Sequence, residues 1–353
     1  MHTSMPPVAD GPQQWAATTI PHFEFPWPSA CAPEVEQLEL SMIDWAQSHG
    51  LFLSKDHRLR AARARAAWLA ARSYPYAKRH MLQYLANYIL WLFLADDMLV
   101  DRIDVALAPT VPPLTAILDV LDFNRIREKP TYGEAALLDI CLHLQQWLPA
   151  EHFQRFANGM RLWVSSAGLQ ILNHLNKLPP SMQTYMAVRR YIGAVYPAID
   201  LCDSANAGPL PAADYYRPGV QQLRFHINNI ICWSNDVHSV GIEMKQPGQF
   251  WNMVTIYISQ GETPQSAIDC TCKKIRDETD LFLTLAATIE HDADHLLRHY
   301  IRGMKDWLRG YFDWMEQDTQ RYSPQFAELD ADDRSFAHPI LSAGQQQENP
   351  TSA

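Results

Sequence analysis

The sequence predicts an all-α protein. Apolar residues recur at intervals of three and four along most of the 353 residues, glycine is scarce at 14, and prolines divide the chain into segments of helical length. With 47% hydrophobic residues, a chain of this size buries roughly three quarters of its unfolded surface. No internal repeat and no second domain is evident. The expected organisation is a tail over 1–22, one helical domain over 23–322 and a Gln-rich, disordered tail over 323–353.

The elements follow in order. Phe23-Glu24-Phe25-Pro26-Trp27-Pro28 reads as an aromatic strap packed over helices. Glu34 to His49 reads as the first helix and Arg58 to Arg72 as the second. In the latter, five arginines alternate with Ala and Leu, as on a solvated face. After Pro75 a long apolar helix beginning near Met81 carries Asp96 and Asp97. Pro109, Pro112 and Pro113 break the chain, and Pro130 with Gly133 breaks it again. Helices from Glu134 to Leu148 and from Glu151 to about Asn173 lead to Pro179-Pro180. Ser181 to Ala205 is helical but interrupted, because Gly193 and Pro197 do not both fit one unbroken helix. The helix bearing Asn235 is ended by Pro247-Gly248. Helices near Phe250 to Ser259, Pro264 to Ile289 and His291 to Gln317 complete the bundle.

Composition excludes several functions. A net charge of −10 argues against nucleic acid or an anionic membrane as partner. The six cysteines show neither a disulfide framework nor zinc spacing, and no apolar run reaches membrane-spanning length, so a soluble, cytoplasmic protein is expected.

Two acidic stretches carry the chemistry. Asn235, Ser239 and Glu243 are four residues apart and share one face of a helix whose preceding turns, from Phe225 to Trp233, are too apolar to lie in water. Amide, hydroxyl and carboxylate oxygens on one rigid face suit Mg²⁺ better than Zn²⁺. The second stretch, Asp96-Asp97 with Asp101 one turn on, ends a segment that otherwise reads as buried. Carboxylates grouped there need cations or protons. A rival stripe, His291, His295 and His299, also has four-residue spacing, but it alternates with Asp292 and Asp294 as a solvated face does.

Asp96-Asp97 followed by Asp101, with Asn235, Ser239 and Glu243 well downstream, resembles the two metal-binding motifs of class I terpene synthases (terpene cyclases) of bacterial type. Arg189 with Gly193 resembles the family's diphosphate-sensing arginine and helix-break effector, and Arg321-Tyr322 its C-terminal arginine-tyrosine pair. The matches run from the Phe25-Pro26 arm to Tyr322. The chain departs from the pattern in its Asp-Asp-x-x-x-Asp spacing, in Ile192 at the polar linker position, and in Ile242 where a lysine is frequent.

The resemblance implies the single-domain bundle of the class I terpenoid synthase fold with a central apolar cavity. It also implies Mg²⁺, three ions with Mn²⁺ as a substitute, held by Asp96, Asp97, Asp101, Asn235, Ser239 and Glu243. An isoprenoid diphosphate, farnesyl diphosphate by family frequency, would be the partner, with Arg189, Arg321 and Tyr322 at its diphosphate. Phe93 would form one cavity wall and Trp307 and Trp314 the opposite one. A homodimer stays open. Two rivals are a chain-elongating prenyltransferase, which would carry a second Asp-rich motif in place of Asn235, Ser239 and Glu243, and a non-catalytic isoprenoid carrier.

Overall fold

The computed structural model describes residues 18–100, 110–174, 179–244 and 251–323, all of them helix, turn or loop. Asp101, Pro109 and Pro247-Gly248 lie outside the described residues, as do most of the expected tails. Within the first of those tails, residues 18–22 are tied to the bundle. The Thr19 amide N–H donates to Gln265 Oε1 (2.9 Å), and His22 Nδ1 lies 2.8 Å from Glu316 Oε1.

The helices are α1 (Val35–Ser48), α2 (Lys55–Ala64), α3 (Ala66–Ser73), α4 (Arg79–Leu99), α5 (Val111–Phe123), α6 (Glu134–Trp147) and α7 (Ala150–His174). Then come α8 (Met182–Ile192), α9 (Val195–Ile199), α10 (Cys202–Asn206), α11 (Ala212–Tyr215), α12 (Pro218–Glu243), α13 (Met253–Ser259), α14 (Pro264–Asp292) and α15 (His295–Asp313). A π-helical turn, Trp314–Asp318, extends α15. Side-chain caps fix several starts by satisfying orphan N–H groups: Ser54 on α2, Ser181 on α8, Asn252 on α13, Thr263 on α14 and Asp294 on α15. Among the described residues no helix is long and apolar enough to cross a membrane.

The aromatic strap packs as expected. Phe23 and Phe25 are buried with ring centroids 5.2 and 5.0 Å from that of Phe312. The arginine run departs from expectation in two ways. Arg65 takes a left-handed backbone (φ 55°) and splits the run into α2 and α3. Arg60 and Arg72 are buried, because each meets a carboxylate: Arg60 lies 3.5 Å from Asp97, and Arg72 pairs with Asp318 and Asp313. The run is therefore partly a buried seam between α2, α3 and the C-terminal segment. The stripe of histidines is also broken, since Ala293-Asp294 separates His291 on α14 from His295 on α15; both are exposed, and His291 bonds to Asp292.

The interrupted segment becomes α8, α9 and α10. Ala194 between α8 and α9 sits in the left-handed region (φ 51°), a strained position for a residue with a Cβ. Gly193 is required by packing, since a Cβ there would run into Cys232 Sγ on α12.

Candidate active site

A cavity of about 1130 Å³, including open solvent at its entrance, lies between these helices. Its lining is divided. Asp96, Arg189, Asn235, Ser239, Glu243, Arg321 and Tyr322 supply charge and oxygen, while Tyr88, Phe93, Trp163, Ile192, Ile231, Trp307 and Trp314 supply apolar wall. The fold thus brings together on one surface most of the residues picked out by the sequence.

The α12 face is held by a hydrogen-bond lattice. Arg189 donates to Asn235 Oδ1 (2.7 Å) and to the Cys232 carbonyl (3.2 Å), and it pairs with Asp236 Oδ1 at 2.9 Å. Asn235 Nδ2 donates to the Tyr322 hydroxyl (2.6 Å). Asn252 Nδ2 donates to Glu243 Oε2 (3.0 Å) and to the Asp236 carbonyl (2.8 Å), with Ser239 Oγ at 3.5 Å. Asp236 also accepts from the Tyr185 hydroxyl and from the Met253 amide.

Asp96 and Asp97 divide their roles. Arg321 grips both oxygens of Asp97 and Arg60 stands behind it, so Asp97 is turned from the cavity lining, contrary to its expected place beside Asp96. Burial would raise the Asp97 pKa, but the Arg321 and Arg60 guanidiniums outweigh it and hold the carboxyl below its ordinary value. Asp96 faces the cavity, and burial together with the Asp97 charge pushes its carboxyl up to about 7. Burial, and then Asp236, raises Glu243.

The donor set fits a hard divalent cation on the structure's own terms. Asp96 Oδ1 is buried with no hydrogen-bond partner, and neither Asp96 nor Glu243, both half-buried, forms an ion pair with a lysine or arginine among the described residues. Among the described residues no three His, Cys, Asp or Glu side chains are grouped closely enough to hold an ion by themselves. Asn235 and Ser239 oxygens, water and a bound anion would have to complete any shell. Arg189, which also lines the cavity, has its Nε buried without an acceptor among the described residues.

The walls follow expectation with one correction. Phe93, Trp307 and Trp314 all line the cavity, but the rings of Phe93 and Trp314 lie together at 5.8 Å, and the Arg321 guanidinium sits 4.9 Å from the Phe93 ring. Trp314 therefore shares a wall with Phe93.

The sequence reading missed Asp236, Asn252 and Arg60. Asn252 carried a signal, a capping residue directly before an apolar helical stretch. Asp236 and Arg60 carried none, since their partners, Arg189 and Asp97, are distant in sequence.

A family model described as terpene synthase family 2, C-terminal metal binding, matches residues 87–281, which span the acidic turn of α4 and all of α12. A sesquiterpene synthase of Metarhizium brunneum is 45% identical over 94% of this chain and 96% of its own length. The chain belongs to the terpene synthase family. The synthase is also 46% identical, over 89% of its length and 98% of the relative's, to the (+)-corvol ether B/(+)-corvol ether A synthase, (2E,6E)-farnesyl diphosphate cyclizing, of Kitasatospora setae. Its fold matches that of the linalool/nerolidol synthase of Streptomyces clavuligerus with a TM-score of 0.75 at 18% identity, over 83% of this chain and 100% of the other. The synthase is thus an enzyme of the terpene cyclase type, dependent on a divalent metal and acting on an isoprenoid diphosphate.

Proposed function

We propose that the synthase ionises farnesyl diphosphate and cyclises the resulting cation to a sesquiterpene, using Mg²⁺, three ions with Mn²⁺ as a substitute, at Asp96, Asn235, Ser239 and Glu243. The observation that carries this reading is a single cavity lined both by oxygen donors with arginines and by aromatic and aliphatic side chains. The farnesyl chain length is supported by the names of relatives that share nearly half of the sequence. Asp101, the third acid of the first motif, is proposed to assist the same ions.

The ions, when bound, neutralise the diphosphate and make it a better leaving group. Arg189 and Arg321 hold its remaining oxygens by exchanging Asp236 and Asp97 for phosphate, and the Tyr322 hydroxyl, fixed by Asn235, donates beside them. Gly193 and the strained turn at Ala194 bring backbone close to the cavity beside Arg189. Phe93, Trp307 and Trp314 face the allylic cation, lower its energy through their π-faces and exclude bulk water.

Incubation with geranyl, farnesyl and geranylgeranyl diphosphate in turn, with Mg²⁺, tests the reading. Cyclic fifteen-carbon products from farnesyl diphosphate support it; longer diphosphates would make the protein a chain-elongating transferase, and binding without turnover a carrier.

A further inference from the structure

Gln170 is among the polar side chains of the cavity that have no part in the lattice just described. Gln170 on α7 is 4% exposed, lines the cavity, and makes no hydrogen bond among the described residues. Its place along the cavity follows from how α7 meets α4. Tyr88 contacts Phe156 and Met160, and Trp91 meets Trp163, so the two helices advance together. Seven residues on along each helix come Gln170 on α7 and Met98 on α4, the latter in the turn that carries Asp96. Continued at that register, α7 carries Gln170 toward the Asp96 turn of the same cavity.

The amide faces the cavity without a protein partner among the described residues, so whatever fills the cavity must satisfy it. A farnesyl hydrocarbon supplies neither a donor nor an acceptor, so only water or a diphosphate oxygen satisfies it. Gln170 offers one acceptor and two N–H donors, which suits water, a molecule that is both donor and acceptor. A held water needs two to four polar partners, and the diphosphate end of the cavity provides the remainder.

We propose that Gln170 positions a water molecule that captures the terminal carbocation, so that the synthase releases an oxygenated terpenoid. The proposal rests on the cyclase reading above. The lone pair of the water oxygen forms a carbon–oxygen bond to the cationic carbon, giving an oxonium. One of its protons passes to an oxygen of the diphosphate released at ionisation, leaving a neutral alcohol. Gln170 is a positioning residue in this step: its amide orients the water and is itself unchanged. The aromatic walls keep other water out, so one held molecule decides between alcohol and hydrocarbon.

The test incubates the enzyme with farnesyl diphosphate and Mg²⁺ in ¹⁸O-labelled water and compares Gln170→Met and Gln170→Leu, which fill similar volume without the amide. The expected result is a wild-type product carrying one ¹⁸O, and a fall of about tenfold in the ratio of oxygenated to hydrocarbon product, per diphosphate released, in either variant that folds. Hydrocarbons alone from the wild type would overturn the proposal. So would an unchanged product ratio with slower diphosphate release, which would place the amide on the diphosphate. Absence of diphosphate release from the wild type would instead overturn the cyclase reading on which the proposal rests.

Discussion

Arg321 holds both carboxylate oxygens of Asp97, a residue 224 positions earlier, and its guanidinium lies 4.9 Å from the Phe93 ring. One cation therefore joins the acidic turn of α4, the C-terminal segment and an aromatic wall. Arg189 has the equivalent attachment to Asp236 on α12 at 2.9 Å. In the function proposed above, each arginine trades its carboxylate for a phosphate of similar charge.

Because a guanidinium fork holds two phosphate oxygens and an ammonium is a point charge, Arg189→Lys and Arg321→Lys should each slow ionisation. A loss of about 2–4 kcal/mol of transition-state stabilisation corresponds to roughly thirty- to thousandfold in rate. Steady-state rates should fall more than the product profile shifts, since the walls are untouched. Normal rates with redistributed products would assign the arginines to pocket shape.

Asn235→Ala and Glu243→Gln should each lower turnover by roughly a hundredfold or more while circular dichroism keeps its helical signal. Both side chains line the cavity on the last turns of α12, and neither fills the core. Near-native rates in both variants would remove them from the metal site.

Asn252 caps α13 and ties Glu243 Oε2 to the Asp236 carbonyl. Asn252→Ala should raise the Mg²⁺ concentration for half-maximal rate by about 10–100-fold, the usual effect of losing a group that orients a ligand. A titration of rate against Mg²⁺ that superimposes on the wild type would show that Glu243 needs no such support.

What was legible in the sequence and what was not differ by range. Helix periodicity, the break at Gly193 and the shared face of Asn235, Ser239 and Glu243 are local properties, and the structure shows them where the spacing puts them. The burial of Arg60 and Arg72 was invisible because their carboxylates, Asp97 and Asp318, come from other elements. The same holds for Asp236, whose partner Arg189 is on α8. Asp97 shares its neighbour's chemistry in sequence, and only the approach of Arg321 and Arg60 separates the two.

Stability should depend on pH through Glu39, 5% exposed on α1, where burial raises its carboxyl from 4.5 to about 7. Between those values the folded state binds more protons than the unfolded state, so stability falls as pH rises through this window. The loss should reach about 1–3 kcal/mol by pH 8. Glu39→Gln keeps an acceptor for the Ala67 amide, now at 3.2 Å, and cannot ionise. Urea denaturation at pH 5 and pH 8 should show a smaller difference for Glu39→Gln than for the wild type. Equal differences would mean that Glu39 stays ionised throughout.

In the function proposed here, the polar lining of the cavity breaks the carbon–oxygen bond of an allylic diphosphate when a divalent cation is present. Inorganic diphosphate released from farnesyl diphosphate measures this directly, with Mg²⁺, after chelation, and in Glu243→Gln. Release with Mg²⁺, its loss on chelation and near-loss in Glu243→Gln are expected. Undiminished release in the presence of chelator would contradict that function.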